Sequence, residues 1–127
     1  MSEKNKELVR KVNESFLKGN IEMVSEYLDD NIKWNIVGIP CIQGKTDFMQ
    51  TMEIMELESF PNIKIKNIIA EGDYVVVESS DANVSGSNNF SADKPYTPSY
   101  CDIYFIKNGK VQELTTYMVD ITLNIEF

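Results

Sequence analysis

The sequence predicts an α+β fold, with helices first and strands after. Two observations carry this. Over roughly the first 60 residues, apolar positions recur at three- and four-residue spacing, the period of a helix with one buried face. From Ile63 onward the pattern turns to β-branched, alternating runs punctuated by Glu71-Gly72-Asp73 and Asn108-Gly109.

The first helix runs from Lys4 to Lys18, with Leu8, Val9, Val12, Phe16 and Leu17 as its inner stripe. Gly19 suits its C-terminal stop, and Asn20 suits the N-cap of the next helix. That second helix, Ile21 to Leu28, turns Met23, Val24, Tyr27 and Leu28 inward and ends at Asp29-Asp30-Asn31. A short strand, Ile32 to Val37, holds the only tryptophan, Trp34. Gly38-Ile39-Pro40 and Gln43-Gly44 break the chain. Thr46 then caps a third helix from about Asp47 to Glu58, with Phe48, Met49, Met52 and Met55 on one stripe. Such methionines make an adaptable wall, though ordinary core packing is the better explanation of them. Strands follow at Ile63 to Ala70 and Tyr74 to Ala82. Ser85 to Pro98 reads as a long polar loop, suited to form a lip over a site. The last two strands, Thr97 to Ile106 and Lys110 to Val119, meet at Asn108-Gly109. No repeat or linker divides the chain, so one domain over residues 1–127 is expected. Helices grouped on one face of a curved antiparallel sheet would enclose an apolar space.

Composition narrows the function. The net charge is −8, from 20 acidic and 12 basic residues, and the only arginine is Arg10. Phosphate binding needs clustered Lys and Arg, so nucleic acid and anionic membranes are not expected partners. No apolar run is long enough to span a bilayer. The polar start, Met1 through Glu7, lacks a signal-peptide core, and a cytoplasmic location is the expectation. Cys41 and Cys101 have no CxxC partner, so neither zinc nor any other cofactor is expected; Cys101 reads as a small core residue. The chain contains no histidine, which excludes Ser/His/Asp and Cys/His catalysis. Proton chemistry must therefore fall to carboxylates and tyrosines. Asp102 and Asp120, set in or beside apolar strand runs, are the candidates.

In this order the segments resemble the nuclear transport factor 2-like superfamily, and within it the SnoaL-like and ketosteroid isomerase-like proteins. The resemblance rests on Gly19-Asn20, on Asp29-Asp30-Asn31-Ile32-Lys33-Trp34, on Gly38 and Gly44, and on Ala70 through Glu78. It continues through Tyr100, Phe105, Gly109-Lys110-Val111, Tyr117 and Asp120. It implies a cone, in which a bent sheet wraps the three helices around an apolar pocket for a small hydrophobic, carbonyl-containing molecule. It also implies a homodimer through the outer sheet face. The fold does not settle the chemistry, because it hosts enzymes and plain binding proteins alike. Ketosteroid isomerases use an aspartate base in the first strand and a Tyr/Asp pair that binds the enolate oxygen. Here the base position falls on Asn35 and the tyrosine position on Val12. The paired acid corresponds to Asp102, and the aspartate attributed to SnoaL-like cyclases to Asp120, one residue further along than the family's spacing.

The facing of Asp102 depends on the turn. A two-residue turn at Asn108-Gly109 sets Asp102 opposite Thr115; a three-residue loop with a glycine bulge sets it opposite Leu114. The second register is adopted. It puts Asp102 on one face with Tyr104, Thr116, Met118 and Asp120. Trp34, Asn35, Tyr104, Met52, Thr116 and Met118 then become candidate ligand-binding residues. Each has a plainer role available: Asp102 as a structural acceptor, Asp120 as a solvated strand end, Trp34 as core, Tyr100 and Tyr117 as interface residues. Two functions remain open, a proton-transfer enzyme of isomerase or cyclase type and a non-catalytic binding or dimeric interaction module.

Overall fold

The computed structural model describes residues 2–57, 63–81 and 99–119. Helix α1 spans Ser2–Leu17 and α2 spans Ile21–Ser25, followed by strands β1 (Leu28–Ile36) and β2 (Ile42–Gln43), then helix α3 (Lys45–Leu57). Strands β3 (Ile63–Glu71), β4 (Tyr74–Asp81), β5 (Ser99–Lys107) and β6 (Lys110–Val119) complete the described elements. They form one curved, open sheet in the order β2-β1-β6-β5-β4-β3. The expected α+β architecture is present, with one refinement. The sheet is mixed, because β1 runs parallel to β6.

Local chemistry explains where the element boundaries differ from expectation. Gly19 takes a φ of 77° and stops α1 as expected. Asn20 makes no side-chain capping bond, and α2 is little more than one turn. Its inward set therefore shrinks to Val24, and Met23 is exposed. The chain straightens at Leu28, four residues earlier than expected, because Val111 N–H donates to the Tyr27 carbonyl and ties β1 to β6. Gln43, read from the sequence as part of a break, pairs with β1 together with Ile42 as a two-residue edge strand. Helix α3 starts at Lys45, so Thr46 lies inside it rather than at its cap.

The core is one cluster. Val9 and Val12 of α1, Phe48 and Met52 of α3, and Trp34, Val75, Val77, Tyr104 and Leu114 from the sheet are all nearly or fully buried. The strand residues in it alternate, so the sheet's concave side is packed on the helices and its other side is open. That second side carries Cys101, half-buried and paired across strands with Glu78 and Tyr117. Cys101 is thus not the core residue expected. It has the opposite strand parity to Asp102, and partial burial with the charges of Asp102 and Glu78 raises its thiol pKa.

Candidate functional site

A cavity of about 80 Å³ lies between the helices and the concave face of the sheet. Its wall is mostly apolar, including Val12, Phe16, Phe48 and Met52 from the helices. Among the described residues, no lysine or arginine lines it. Its polar groups are few, and most sit on β5 and β6.

The hairpin that places them has a two-residue turn. Lys107 pairs with Lys110, and Asn108 and Gly109 have φ of 54° and 71°, the signature of a type I′ turn. The expected three-residue loop is therefore corrected. The expected facing of Asp102 nevertheless stands, for a different reason. Gln112 is an extra residue on β6, since Ile106 pairs with Val111 while Phe105 pairs with Glu113. This bulge moves the register past it by one residue. Asp102 lies opposite Thr116 rather than Leu114, and Tyr104 lies opposite Leu114. Asp102, Tyr104, Thr116 and Met118 all line the cavity.

Two hydrogen-bonded chains end on this group. In the first, the Trp34 indole N–H donates to Thr116 Oγ1 at 2.9 Å, and the Thr116 hydroxyl donates to Asp102 Oδ1 at 2.6 Å. Trp34 also stacks at a tilt on Phe48, with ring centroids 4.5 Å apart. In the second, the Asn13 side-chain amide donates to the Val9 carbonyl at 2.9 Å and to the Tyr104 hydroxyl oxygen at 3.3 Å. Burial raises the Asp102 pKa to about 6, partly offset by the Thr116 hydrogen bond. Burial also pushes the Tyr104 phenol well above its ordinary value, and the nearby Asp102 charge adds to this, while the Asn13 bond opposes it. Asp102 is therefore mostly ionised at neutral pH, and Tyr104 stays a donor.

The sequence-derived candidates separate accordingly. Asp102, Tyr104, Trp34, Thr116, Met52 and Met118 come together at the cavity, with Met118 at its partly exposed rim. Asn35 does not join them. It alternates with the buried Trp34 and Ile36 and is exposed on the other side of β1. Asp120 and the proposed lip at Ser85 to Pro98 lie outside the described residues. Tyr100 lines the cavity, whereas Tyr117 is exposed. Asn13 was missed, although a signal existed. It is a lone polar residue between Val9, Val12 and Phe16 on the inner stripe of α1.

A family model for the SnoaL-like domain matches residues 9–114. The chain belongs to the SnoaL-like domain family. Among solved structures it resembles a nuclear transport factor 2-like protein of unknown function from Cytophaga hutchinsonii. That match has 24% identity and a TM-score of 0.67, and covers 90% of this chain and 98% of that one. A candidate ketosteroid isomerase from Kribbella flavida superposes with a TM-score of 0.73 at 12% identity, covering 99% and 85% of the two chains. An epoxide hydrolase from M. tuberculosis, described as LEH-like, gives 0.69 at 15% identity over 93% and 84%. At these identities the likenesses establish the fold alone. No curated protein matches the sequence.

Proposed function

We propose that this SnoaL-like protein is a proton-transfer enzyme acting on a small, largely apolar molecule with a carbonyl group. The observation that carries this reading is Asp102, a carboxylate in an apolar cavity with a pKa raised to about 6, two residues from the buried Tyr104 hydroxyl. A base works best with a pKa near the operating pH. Ionised Asp102 would take a proton from the carbon beside the carbonyl, and Tyr104 would donate its O–H to the enolate oxygen. Asp102 would then return the proton at a second carbon, giving an isomer with no net gain or loss of atoms. The absence of cationic side chains in the described wall favours a neutral ligand over an anionic one. The candidate isomerase and the epoxide hydrolase among the structural neighbours are consistent with small-molecule acid–base chemistry on this fold.

The test is deuterium uptake from D₂O into a panel of small ketones, followed by NMR. Wild type should accelerate exchange for at least one of them. Asp102→Asn should lose that exchange by at least ~10²-fold while keeping the fold. Equal exchange by the variant would remove Asp102 from the chemistry. A second reading, non-catalytic binding of the same class of molecule, draws on Val12 and Asn35. These stand where the resemblance places the isomerase tyrosine and base, one as cavity wall and one outside the cavity. Binding without any exchange by wild type would favour it.

We also propose a cytoplasmic homodimer formed through the outer sheet face. Ile69, Tyr74 and Tyr117 are 63%, 53% and 46% exposed there, an apolar band on an otherwise acidic protein. Light scattering should give twice the monomer mass. Tyr117→Lys should shift it toward the monomer.

A further inference from the structure

We infer that Thr116, held from behind by Trp34, is a positioning residue that keeps the exchangeable proton of Asp102 on Oδ2. This inference builds on the proton-transfer reading of the same site. It rests on the direction of the hydrogen bonds. An indole N–H only donates, and a threonine hydroxyl has one proton to give. Trp34 N–H is spent on Thr116 Oγ1, and the Thr116 proton is spent on Asp102 Oδ1. If Asp102 carried its proton on Oδ1, that proton and the Thr116 proton would compete for the same short contact. Thr116 would have to turn its own proton away, and among the described residues that proton has no other acceptor. Oδ2 has no hydrogen-bond partner among the described residues, and Asp102 lines the cavity. Oδ2 thus keeps both of its lone pairs while Oδ1 has given one to Thr116, and a proton taken on Oδ2 stays available for return to the ligand.

The chain also strengthens itself, because a hydroxyl that receives a hydrogen bond gives a stronger one. Trp34 therefore acts on Asp102 without touching it. Other titratable groups near Asp102 leave this direction unchanged. In the described cavity wall these are Tyr100 and Tyr104, both on β5; α1, α3, β1, β3, β4 and β6 add none. Cys101 and Glu78 lie across the sheet on its outer side.

The test needs no substrate, so it separates from the enzyme question. Trp34 is the only tryptophan, and its indole N–H gives a single well-isolated NMR resonance. In wild type this resonance should move with pH at the same midpoint as the Asp102 side-chain carbon. Thr116→Val should raise the Asp102 midpoint by about one unit, the size of one lost hydrogen bond to a carboxylate. It should also uncouple the indole resonance. Thr116→Ser should keep both properties. Replacing Trp34 by benzothienylalanine, which keeps the ring shape and lacks the N–H, should also raise the midpoint. It serves in place of Thr116→Val if that variant does not fold. An unchanged midpoint with benzothienylalanine, or equal rises in Thr116→Ser and Thr116→Val, overturns the inference. Loss of ketone exchange with these titrations intact would overturn the enzyme reading and leave this one standing.

Discussion

Asp102 and Tyr104 share one environment and answer it in opposite ways. Burial works against the charged form of both, so the carboxyl titrates near 6 and the phenol stays protonated at any working pH. In the proposed reaction one group is thereby the base and the other the donor. The proposed reaction should accelerate with pH, because the active carboxylate forms as pH rises through about 6. The kcat/KM profile should climb about tenfold per unit below that point and level off above it. A profile that falls through pH 6 would make Asp102 the acid instead. Tyr104→Phe should lower kcat by about 10²–10³ and leave the ascending limb in place, since removing an oxyanion donor costs that much without altering the base. A loss confined to KM would assign Tyr104 to binding alone. Asn13 supports this division of roles by donating to the Tyr104 oxygen, which leaves the Tyr104 proton free for a ligand.

The β5–β6 hairpin decides whether these groups meet at all. Asn108-Gly109 carries the signature of the two-residue turn, since both residues tolerate the left-handed backbone that type I′ needs, although a three-residue loop was expected. The bulge at Gln112 was not legible, because glutamine has no conformational signature there and the extra residue shows only against its partner strand. The expected three-residue loop gave the right face for Asp102 through the wrong geometry. The helices were legible from their stripes, apart from α2, where one turn is too short for periodicity to register. Asn35 was misplaced because its role came from a family position, whereas plain alternation with Trp34 puts it outside. The bulge makes its own prediction. Deleting Gln112 would remove the extra residue and leave Glu113, Leu114 and Thr116 opposite Phe105, Tyr104 and Asp102, so Leu114 and Thr116 should stay inward, about 5% accessible. Stability should fall by no more than about 3 kcal/mol, measured by urea unfolding, with near-ultraviolet circular dichroism retained. Loss of a cooperative transition would show that the bend made by the bulge is itself needed to hold the sheet on the helices.

Across the whole molecule, the carboxylate in the cavity opposes folding when it is charged. The core is one cluster that includes Trp34, Tyr104 and Leu114, so Asp102 is ionised against the same wall that holds the sheet to the helices. The folded chain binds the Asp102 proton more tightly than the unfolded chain, with a pKa of about 6 against an ordinary 3.8. Between those values the folded state holds more protons, so this group's contribution to stability falls as pH rises. It is fully present below about pH 4 and lost above about pH 6. A shift of this size corresponds to roughly 2–3 kcal/mol. Asn at this position keeps the shape, can still accept from Thr116, and carries no charge. Asp102→Asn should therefore be more stable than wild type by about 2 kcal/mol at pH 8, with the difference closing toward pH 4. The other carboxylates are common to both proteins and cancel in the comparison. Urea unfolding of the two proteins at pH 4, 6 and 8 measures it directly. A difference that does not vary with pH would mean that Asp102 is not held in its neutral form by burial. A gap that opens between pH 4 and 6 would mean that the protein retains a destabilising charge in its cavity, the pattern expected where a carboxylate is kept for chemistry rather than for the fold.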